Sequence, residues 1–251
     1  MNRGGFTSSY HLFENPRFAN RQNGGNDFRI ELADNSGVPF RVAGVLLSSS
    51  PFPDPAFQYS LTRPWLQPYT GPVKDFTDPN TLSGKVMTGY QGWFATPNDL
   101  ADQGWTHWGR SSGVDPSPTE ITIDMWPWIN EYRPDKIYPA GEMDLQDGRP
   151  AHLFSSRDPD TVQRHFRWMR RHNIDGAYLQ RFVSRGTSGY YGASEFVLDN
   201  VRKAASKEGR VWAIEYDVSS MANDPNPFEV ITNDWTWLVN EVGILDDPRY
   251  V

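Results

Sequence analysis

The feature that most constrains the fold is a repeated succession of strand-like runs and amphipathic helices in the second half of the chain. Each predicted helix begins beside a residue with a capping side chain and ends at Asn or Gly, and short runs rich in β-branched and aromatic residues separate the helices. Alternation of this kind predicts βαβ units, a parallel sheet and right-handed crossovers. The predicted helices begin at Asp158, Ser194 and Asn226, and the predicted strands are Val86–Tyr90, Glu120–Asp124, Ile174–Val183 and Val211–Asp217.

The helix after Asp158 shows the pattern most plainly. Asp158 is a favourable capping residue, and Pro159 suits the first helical position, where its missing N–H costs nothing. Val162, Phe166 and Met169 then form one apolar stripe at helical spacing. This stripe predicts a helix that packs one face against the sheet. The Arg residues and the two His residues on this helix are predicted to form a solvated outer face: Arg164, His165, Arg167, Arg170, Arg171 and His172.

The first 81 residues have a different character, because they are rich in Pro, Ser, Asn and Gly. They predict an irregular or β-rich segment with one hairpin, in which Phe28–Leu32 and Val38–Leu47 flank a turn at Asp34–Gly37. Two interpretations stay open for residues 1–81: the tail of a preceding β domain, or an extended arm. Residues 82–251 are predicted to form a separate α/β unit.

The number of strand–helix units limits the architecture. A complete (β/α)8 barrel needs about 250 residues for the barrel alone. Only three or four units fit after Gly84, and the chain stops at Leu245–Val251, where a loop should lead into another strand. We therefore predict a partial (β/α)8 TIM-type barrel. We also expect this chain, expressed alone, to fold poorly and to lack part of its active site.

Composition and motifs exclude several functions. The formal net charge of -7 argues against a dedicated nucleic-acid surface, which needs clustered Lys and Arg. The chain has no Cys, which excludes disulfides and thiol chemistry but leaves the compartment open. No apolar run approaches the roughly 20 residues of a membrane-spanning helix. Phosphate-binding glycine loops, a zinc-protease motif and a nucleophile elbow are also missing from the sequence, so no cofactor or metal is predicted.

Candidate chemistry lies at the predicted strand ends, since ligands of parallel α/β sheets meet the carboxyl ends of the strands. On the last strand Glu215 and Asp217 share one face, while Trp212, Ile214 and Tyr216 share the other. The bulky apolar set suits the side that packs on helices, so the two carboxylates are predicted to face the barrel axis. Either they act in catalysis, or they form an inner polar network with Arg181. Carboxyl groups about 5 to 9 Å apart suit glycoside hydrolysis, but neighbours on one strand seldom flank a substrate.

Aromatic side chains suggest the substrate. Trp105, His107 and Trp108 lie on one loop bounded by glycines, and Trp126 and Trp128 flank Pro127. An indole can stack against the apolar C–H face of a sugar, and an imidazole can bond to its hydroxyl groups. The alternative is that these rings pack onto the rim of the barrel and contact no ligand.

An ordered series of motifs resembles one family. It resembles the bacterial glycoside hydrolase family 71/99-like proteins, which are relatives of endo-α-mannosidase. The resemblance covers about Gly84 to the C-terminus, and residues before Thr81 contribute nothing to it. The motifs that carry it are Lys85–Phe94, Gly104–Trp108, Ile121–Pro127, His152–Ser156, Phe166–Met169 and Ile174–Phe182.

This resemblance implies a (β/α)8 barrel that acts on a polysaccharide or oligosaccharide without an obligatory cofactor. The compartment stays unknown, with a periplasmic or secreted full-length protein as one option. It also implies catalytic carboxylates in the second half of the barrel, beyond Val251, so no proven catalytic residue is carried over. Glu215 and Asp217 are candidates from the strand-end argument alone. Two functions stay open: a retaining or inverting glycosidase, or a non-catalytic carbohydrate-binding or scaffold domain. The substrate-cleft candidates at the motif positions are Tyr90, Trp93, His107, Trp108, Asp124, Trp126, Gln180 and Arg181.

Overall fold

The computed structural model describes residues 68–99, 104–182, 188–222 and 224–251, without the side chains of 188–193 and 220. The predicted N-terminal hairpin lies outside the described residues. The strands are β1 (Met87–Tyr90), β2 (Tyr138–Asp144), β3 (Pro150–Leu153), β4 (Gly176–Phe182) and β5 (Val211–Asp217). The α-helices are α1 (Pro159–Arg171), α2 (Ser188–Glu208) and α3 (Pro227–Asn240), and short 3-10 helices cover Pro134–Lys136, Ser219–Met221 and Ile244–Asp246.

The described residues form a mixed α/β fold around a parallel sheet with the order β1-β4-β5. Tyr90 lies opposite Leu179 in β4, and Leu179 lies opposite Ile214 in β5. The predicted parallel pairing of these three strands is therefore confirmed. A fourth chain segment joins in the same direction, because Tyr250 forms a parallel bridge with Trp212. The described strands make an open sheet, and a closed barrel is not shown.

The helices follow the sequence pattern, but two of the three predicted caps differ. Val162, Phe166 and Met169 are buried in the main core, as the apolar stripe of α1 predicts. Asp158 precedes α1, but its side chain makes no cap hydrogen bond and instead accepts a bond from the Tyr138 hydroxyl at 2.7 Å.

The start of α3 keeps its predicted cap, and the start of α2 does not. The Oδ1 atom of Asn226 accepts a hydrogen bond from the backbone N–H of Glu229 at 3.4 Å, and its Nδ2 donates to the Glu229 carboxylate at 3.2 Å. The first bond is the predicted N-cap bond, but the backbone N–H of Asn226 donates to Asp224 Oδ1 at 2.8 Å, so the reciprocal bond of a capping box is replaced by one from the side-chain amide. The second helix begins at Ser188, six residues before the predicted start at Ser194.

Alternation along β5 separates two environments. Trp212 is fully buried in the main core, and Ile214 and Tyr216 pack against that core. Glu215 is exposed on the opposite face. The predicted division of this strand is therefore confirmed: its large apolar residues face the helices, and its carboxylates face away from them.

A second core lies between the loops and the antiparallel pair β2–β3, which the sequence did not predict. The predicted strand Glu120–Asp124 is not formed; only an isolated bridge joins Ile121 to Gly109. Apart from the β2–β3 pair, the backbone of this region is joined by single bridges, such as those between Ala95 and Thr106 and between Gly109 and Ile121. The buried members of this core are Trp105, Trp108, Ala140, Ala151 and Leu153.

Two features of the described residues bear on the class of protein: the character of the helices and the arrangement of possible metal ligands. None of the helices in the described parts of the chain has both the length and the apolar character that a membrane-spanning helix requires. The same residues contain no group of three or more His, Cys, Asp or Glu side chains arranged to hold a metal ion.

Candidate functional site

The carboxyl edge of the parallel sheet brings polar side chains from two strands together. Gln180 lies opposite Glu215 in the register of β4 and β5, and Phe182 lies opposite Asp217. The Nε2 amide of Gln180 donates a hydrogen bond to the Oδ2 atom of Asp217. The three polar residues therefore share the face of the sheet that the helices leave open.

Asp217 is held as an anion at this edge. The backbone N–H of Ser219 donates a hydrogen bond to Asp217 Oδ1 at 2.8 Å. Hydrogen bonds from Ser219, with a further contribution from Gln180, hold the pKa of the Asp217 carboxyl below its usual value. Asp217 is therefore a fixed hydrogen-bond acceptor, suited to a sugar hydroxyl or to a role as nucleophile or base.

Aromatic rings lie next to these polar residues at the carboxyl edge of the sheet. The rings of Trp93 and His107 stack with centroids 4.4 Å apart and planes at 16°. Trp93 also stacks with Phe182, at 5.6 Å and 24°. Both partners stack on the indole of Trp93, and His107 is the exposed member of the stack. The aromatic stack reaches the carboxylate because Phe182 lies opposite Asp217.

The backbone on both sides of the stack adopts uncommon conformations. Gly92 has φ 64°, and a Cβ atom there would lie 2.5 Å from Cγ1 of Val197. His107 has φ 62°, a left-handed conformation that is uncommon outside glycine and is often found at functional sites. Burial, and then the charge of Arg157, lower the pKa of His107. The imidazole is therefore neutral near pH 7, with one donor and one acceptor nitrogen.

Trp108 lies in the second core and not in the cleft. It is 2% exposed, its ring centroid lies 4.2 Å from that of Phe94, and its Nε1 donates to the carbonyl of Phe154 at 3.0 Å. The predicted role of Trp108 as a sugar platform does not fit this placement, because no face of its ring reaches solvent. The placement of Trp108 agrees with the alternative interpretation, in which the aromatic rings of the loops pack against the protein and contact no ligand.

The other two candidates from the loops lie farther along the chain. Trp126 is half-buried against the second core and donates Nε1–H to the carbonyl of His152 at 2.9 Å. Asp124 is exposed on the same loop. Neither residue takes part in the Gln180–Asp217 arrangement, so the site at the sheet edge is built without them.

Arg181 faces the helices and not the cleft, which corrects the sequence prediction. Its guanidinium is 2% exposed and bonds the carboxylate of Asp234 on α3, with Glu195 on α2 at 3.7 Å. The predicted network of Arg181 with Glu215 and Asp217 is therefore wrong. Successive residues of a strand point to opposite faces, so Gln180 and Arg181 cannot both serve the same side.

Tyr90 also faces the helices, where it meets a histidine predicted to lie at the surface. The Tyr90 hydroxyl lies 2.8 Å from Nδ1 of His165, and the Tyr132 hydroxyl lies 2.7 Å from Nε2 of the same ring. Burial lowers the pKa of His165 to about 4. The ring is thus neutral, and one tyrosine donates to it while the other accepts. Tyr90 is part of this internal bridge and not of the cleft.

Phe182 and Ser219 belong to the site but were missed from the sequence. Phe182 ends the motif Ile174–Phe182 and shares a strand face with Gln180, so alternation alone could have identified it. Ser219 bonds to Asp217 through its backbone N–H, and its side chain also lowers the pKa of that carboxyl. An Asp that accepts from the N–H two residues later forms an Asx turn, so the Asp217-x-Ser219 spacing could have indicated this contact.

No protein-family model matches this chain, and no curated protein matches it. Among solved structures, the chain is weakly similar to the GH99 endo-alpha-mannosidase from Bacteroides thetaiotaomicron, with a TM-score of 0.34 and 17% sequence identity. The alignment covers 68% of this chain and 42% of that mannosidase, so the chain spans less than half of its length. This is a distant structural neighbour, and membership of the family 71/99-like proteins stays a prediction from the sequence motifs.

Proposed function

We propose that this chain forms part of the substrate cleft of a glycoside hydrolase-type protein, with the cleft at the carboxyl edge of the parallel sheet. The observation that carries the proposal is the placement of an aromatic stack beside a fixed carboxylate: Trp93 stacks with Phe182, and Phe182 lies opposite Asp217 in the strand register. A saccharide offers a partly apolar ring and several hydroxyl groups, and such an edge complements both. Gln180 and His107 add hydrogen-bond donors and acceptors.

Glu215 and Asp217 are the proposed catalytic carboxylates of this chain. Asp217 is ionised, so it suits the nucleophile or base, and the exposed Glu215 is the second carboxyl on the same face. The two roles require one protonated and one ionised group on opposite sides of the scissile bond. Residues two apart on one strand project in the same direction, and this observation supports a second candidate function, a cleft that binds saccharide without cleaving it.

Binding tests the cleft directly. The chain is titrated calorimetrically with a panel of neutral oligosaccharides, and Trp93→Ala is compared with Phe76→Ala, an exposed aromatic control next to Gly209 at the amino end of β5. We expect Trp93→Ala to weaken binding by about tenfold or more, and Phe76→Ala to leave it unchanged. Equal affinities for the two variants, or no binding by the unaltered chain, would contradict the proposal.

Release of reducing sugar then separates the two functions. In a glycosidase, Asp217→Asn should lower turnover by about a hundredfold or more while saccharide binding persists. In a binding domain, turnover is absent throughout and Asp217→Asn changes only the affinity.

A further inference from the structure

A second groove lies at the C-terminal end of α1, on the side of the molecule away from the candidate cleft. It has a volume of about 350 Å³. The chain passes from this end of α1 to the amino end of β4, whereas Gln180 and Asp217 lie at the carboxyl ends of their strands. The groove is therefore separate from the cleft. Its lining side chains are Trp128, Glu131, Trp168, Arg171 and His172.

Two indoles form the apolar part of this groove. Trp128 is 63% exposed, an unusual exposure for so large an aromatic ring. Trp168 is half-buried, with its ring centroid 6.1 Å from that of Tyr132 and 5.5 Å from that of His165. Trp168 is therefore fixed from behind, and Trp128 presents a ring to solvent.

Charged side chains form the polar part of this groove. Glu131 accepts a hydrogen bond from Nη1 of Arg171 at 3.0 Å and lies 3.8 Å from Nη1 of Arg164. The side chain of Trp168 also bonds to Glu131, and this bond is the largest influence holding the pKa of that carboxyl below its usual value. One carboxylate thus faces two guanidinium groups, which leaves a net positive charge. The side chain of Arg171 lines the groove and is 50% exposed, so a ligand in the groove can reach it.

We propose that this groove is a second saccharide site, selective for sugars that carry a carboxylate. The apolar face of a uronate ring stacks on Trp128 beside Trp168, and its carboxylate binds the Arg171 guanidinium, which matches carboxylate geometry. His172 supplies a further polar contact at the rim. A quaternary ammonium ligand would also suit indoles, but two arginines repel it. The inference rests on the proposed carbohydrate function but uses none of the residues of the cleft.

The test is calorimetric titration of the full chain with a uronate trisaccharide and with its carboxyl-reduced neutral counterpart. Three variants are compared: Trp128→Ala, Arg171→Gln and, as a matched control, Arg149→Gln, an exposed arginine paired with Asp147 in a turn. We expect the first two to weaken uronate binding by about tenfold or more and the control to leave it unchanged. The uronate should also bind more tightly than the neutral sugar, and added salt should reduce the difference.

Trp93→Ala distinguishes this inference from the proposed function. Loss of neutral-sugar binding in Trp93→Ala, with uronate binding intact, is expected when both sites exist. Loss of uronate binding in Trp128→Ala with no effect of Trp93→Ala would support the groove and contradict the cleft. The groove proposal is overturned if the uronate does not bind, or if Trp128→Ala and Arg171→Gln match the Arg149→Gln control while circular dichroism shows all of them folded.

Discussion

Arg181 on β4 and Asp234 on α3 form a buried bidentate ion pair, with Nε to Oδ2 at 2.7 Å and Nη2 to Oδ1 at 2.6 Å. The hydroxyl of Tyr216 donates to the same carboxylate at 2.7 Å. Burial by itself lowers the pKa of the guanidinium, but the charge and hydrogen bonds of Asp234 outweigh burial and raise it. The pair therefore ties two strands to the helix that covers them.

Removal of one partner of this pair should be costly. We expect Asp234→Ala to lower the free energy of unfolding by about 3 kcal/mol or more, because it leaves a buried guanidinium without its main partner. Urea denaturation measures the change. Replacing both partners, as in Arg181→Met with Asp234→Leu, should restore much of the loss. The exposed pair Arg149–Asp147 gives the control, because Asp147→Ala should change the free energy of unfolding little. An equal loss in both variants would refute the expectation.

His165 should make stability depend on pH. Its pKa in the folded chain is about 4, below the ordinary 6.5, so folding disfavours its protonated form. Below pH 6.5 the unfolded chain takes up a proton at His165 that the folded chain does not bind until about pH 4. The free energy of unfolding is therefore unaffected by His165 above pH 6.5 and falls as the pH drops toward 4, by up to about 3 kcal/mol at 1.36 kcal/mol per pKa unit. The titratable and charged groups beside the ring in the described residues are the uncharged hydroxyls of Tyr90 and Tyr132 and the positive Arg164, and none of them carries the negative charge that would favour an imidazolium.

Denaturation at a series of pH values tests this expectation against His165→Gln, which keeps a donor and an acceptor but does not titrate. Carboxyl groups contribute equally to both chains, so the difference between the two profiles isolates the imidazole. Parallel profiles between pH 6.5 and 4 would show that His165 is not the source.

Gly92 should be intolerant of a side chain. Both Gly92 and Gly84 have positive φ, but a Cβ at Gly92 meets Val197 at 2.5 Å, and a Cβ at Gly84 meets nothing within 4 Å. We expect Gly84→Ala to cost about 1 kcal/mol from backbone strain alone. Gly92→Ala should cost about 1 to 3 kcal/mol more, from overpacking. It should also weaken neutral-sugar binding, because Trp93 follows directly. Equal thermal stabilities of the two variants would argue against the close contact.

Asp217 should bind saccharide as a carboxylate over a wide pH range. Its pKa lies below the ordinary value, so the anion is present above that value and disappears only as the pH falls through the lowered pKa. Affinity should therefore stay constant from about pH 8 to pH 5. Asp217→Asn should weaken binding severalfold with little change in unfolding, because Asp217 lies at a half-exposed edge. Affinity that falls steeply near pH 6 would assign the binding to another group.

The sequence determined the parallel strands, two of the helix starts and the division of β5 into two faces. Those features depend on local periodicity and capping, which neighbouring residues specify. The stripe Val162, Phe166 and Met169 and the cap at Asn226 are examples. The open face with Glu215 and Asp217 follows from alternation in the same way.

Only the tertiary structure decided which aromatic and charged residues meet. Trp108 and Trp93 have the same side chain and lie in similar glycine-bearing loops, yet one is enclosed by Phe94 and Phe154 and the other reaches the sheet edge. Arg181 is bound by Asp234, which lies 53 residues later in the chain. The local sequence specifies in which direction a side chain leaves its own backbone. Burial and ion pairing depend instead on segments that are distant in the chain, and those segments meet only when the core packs.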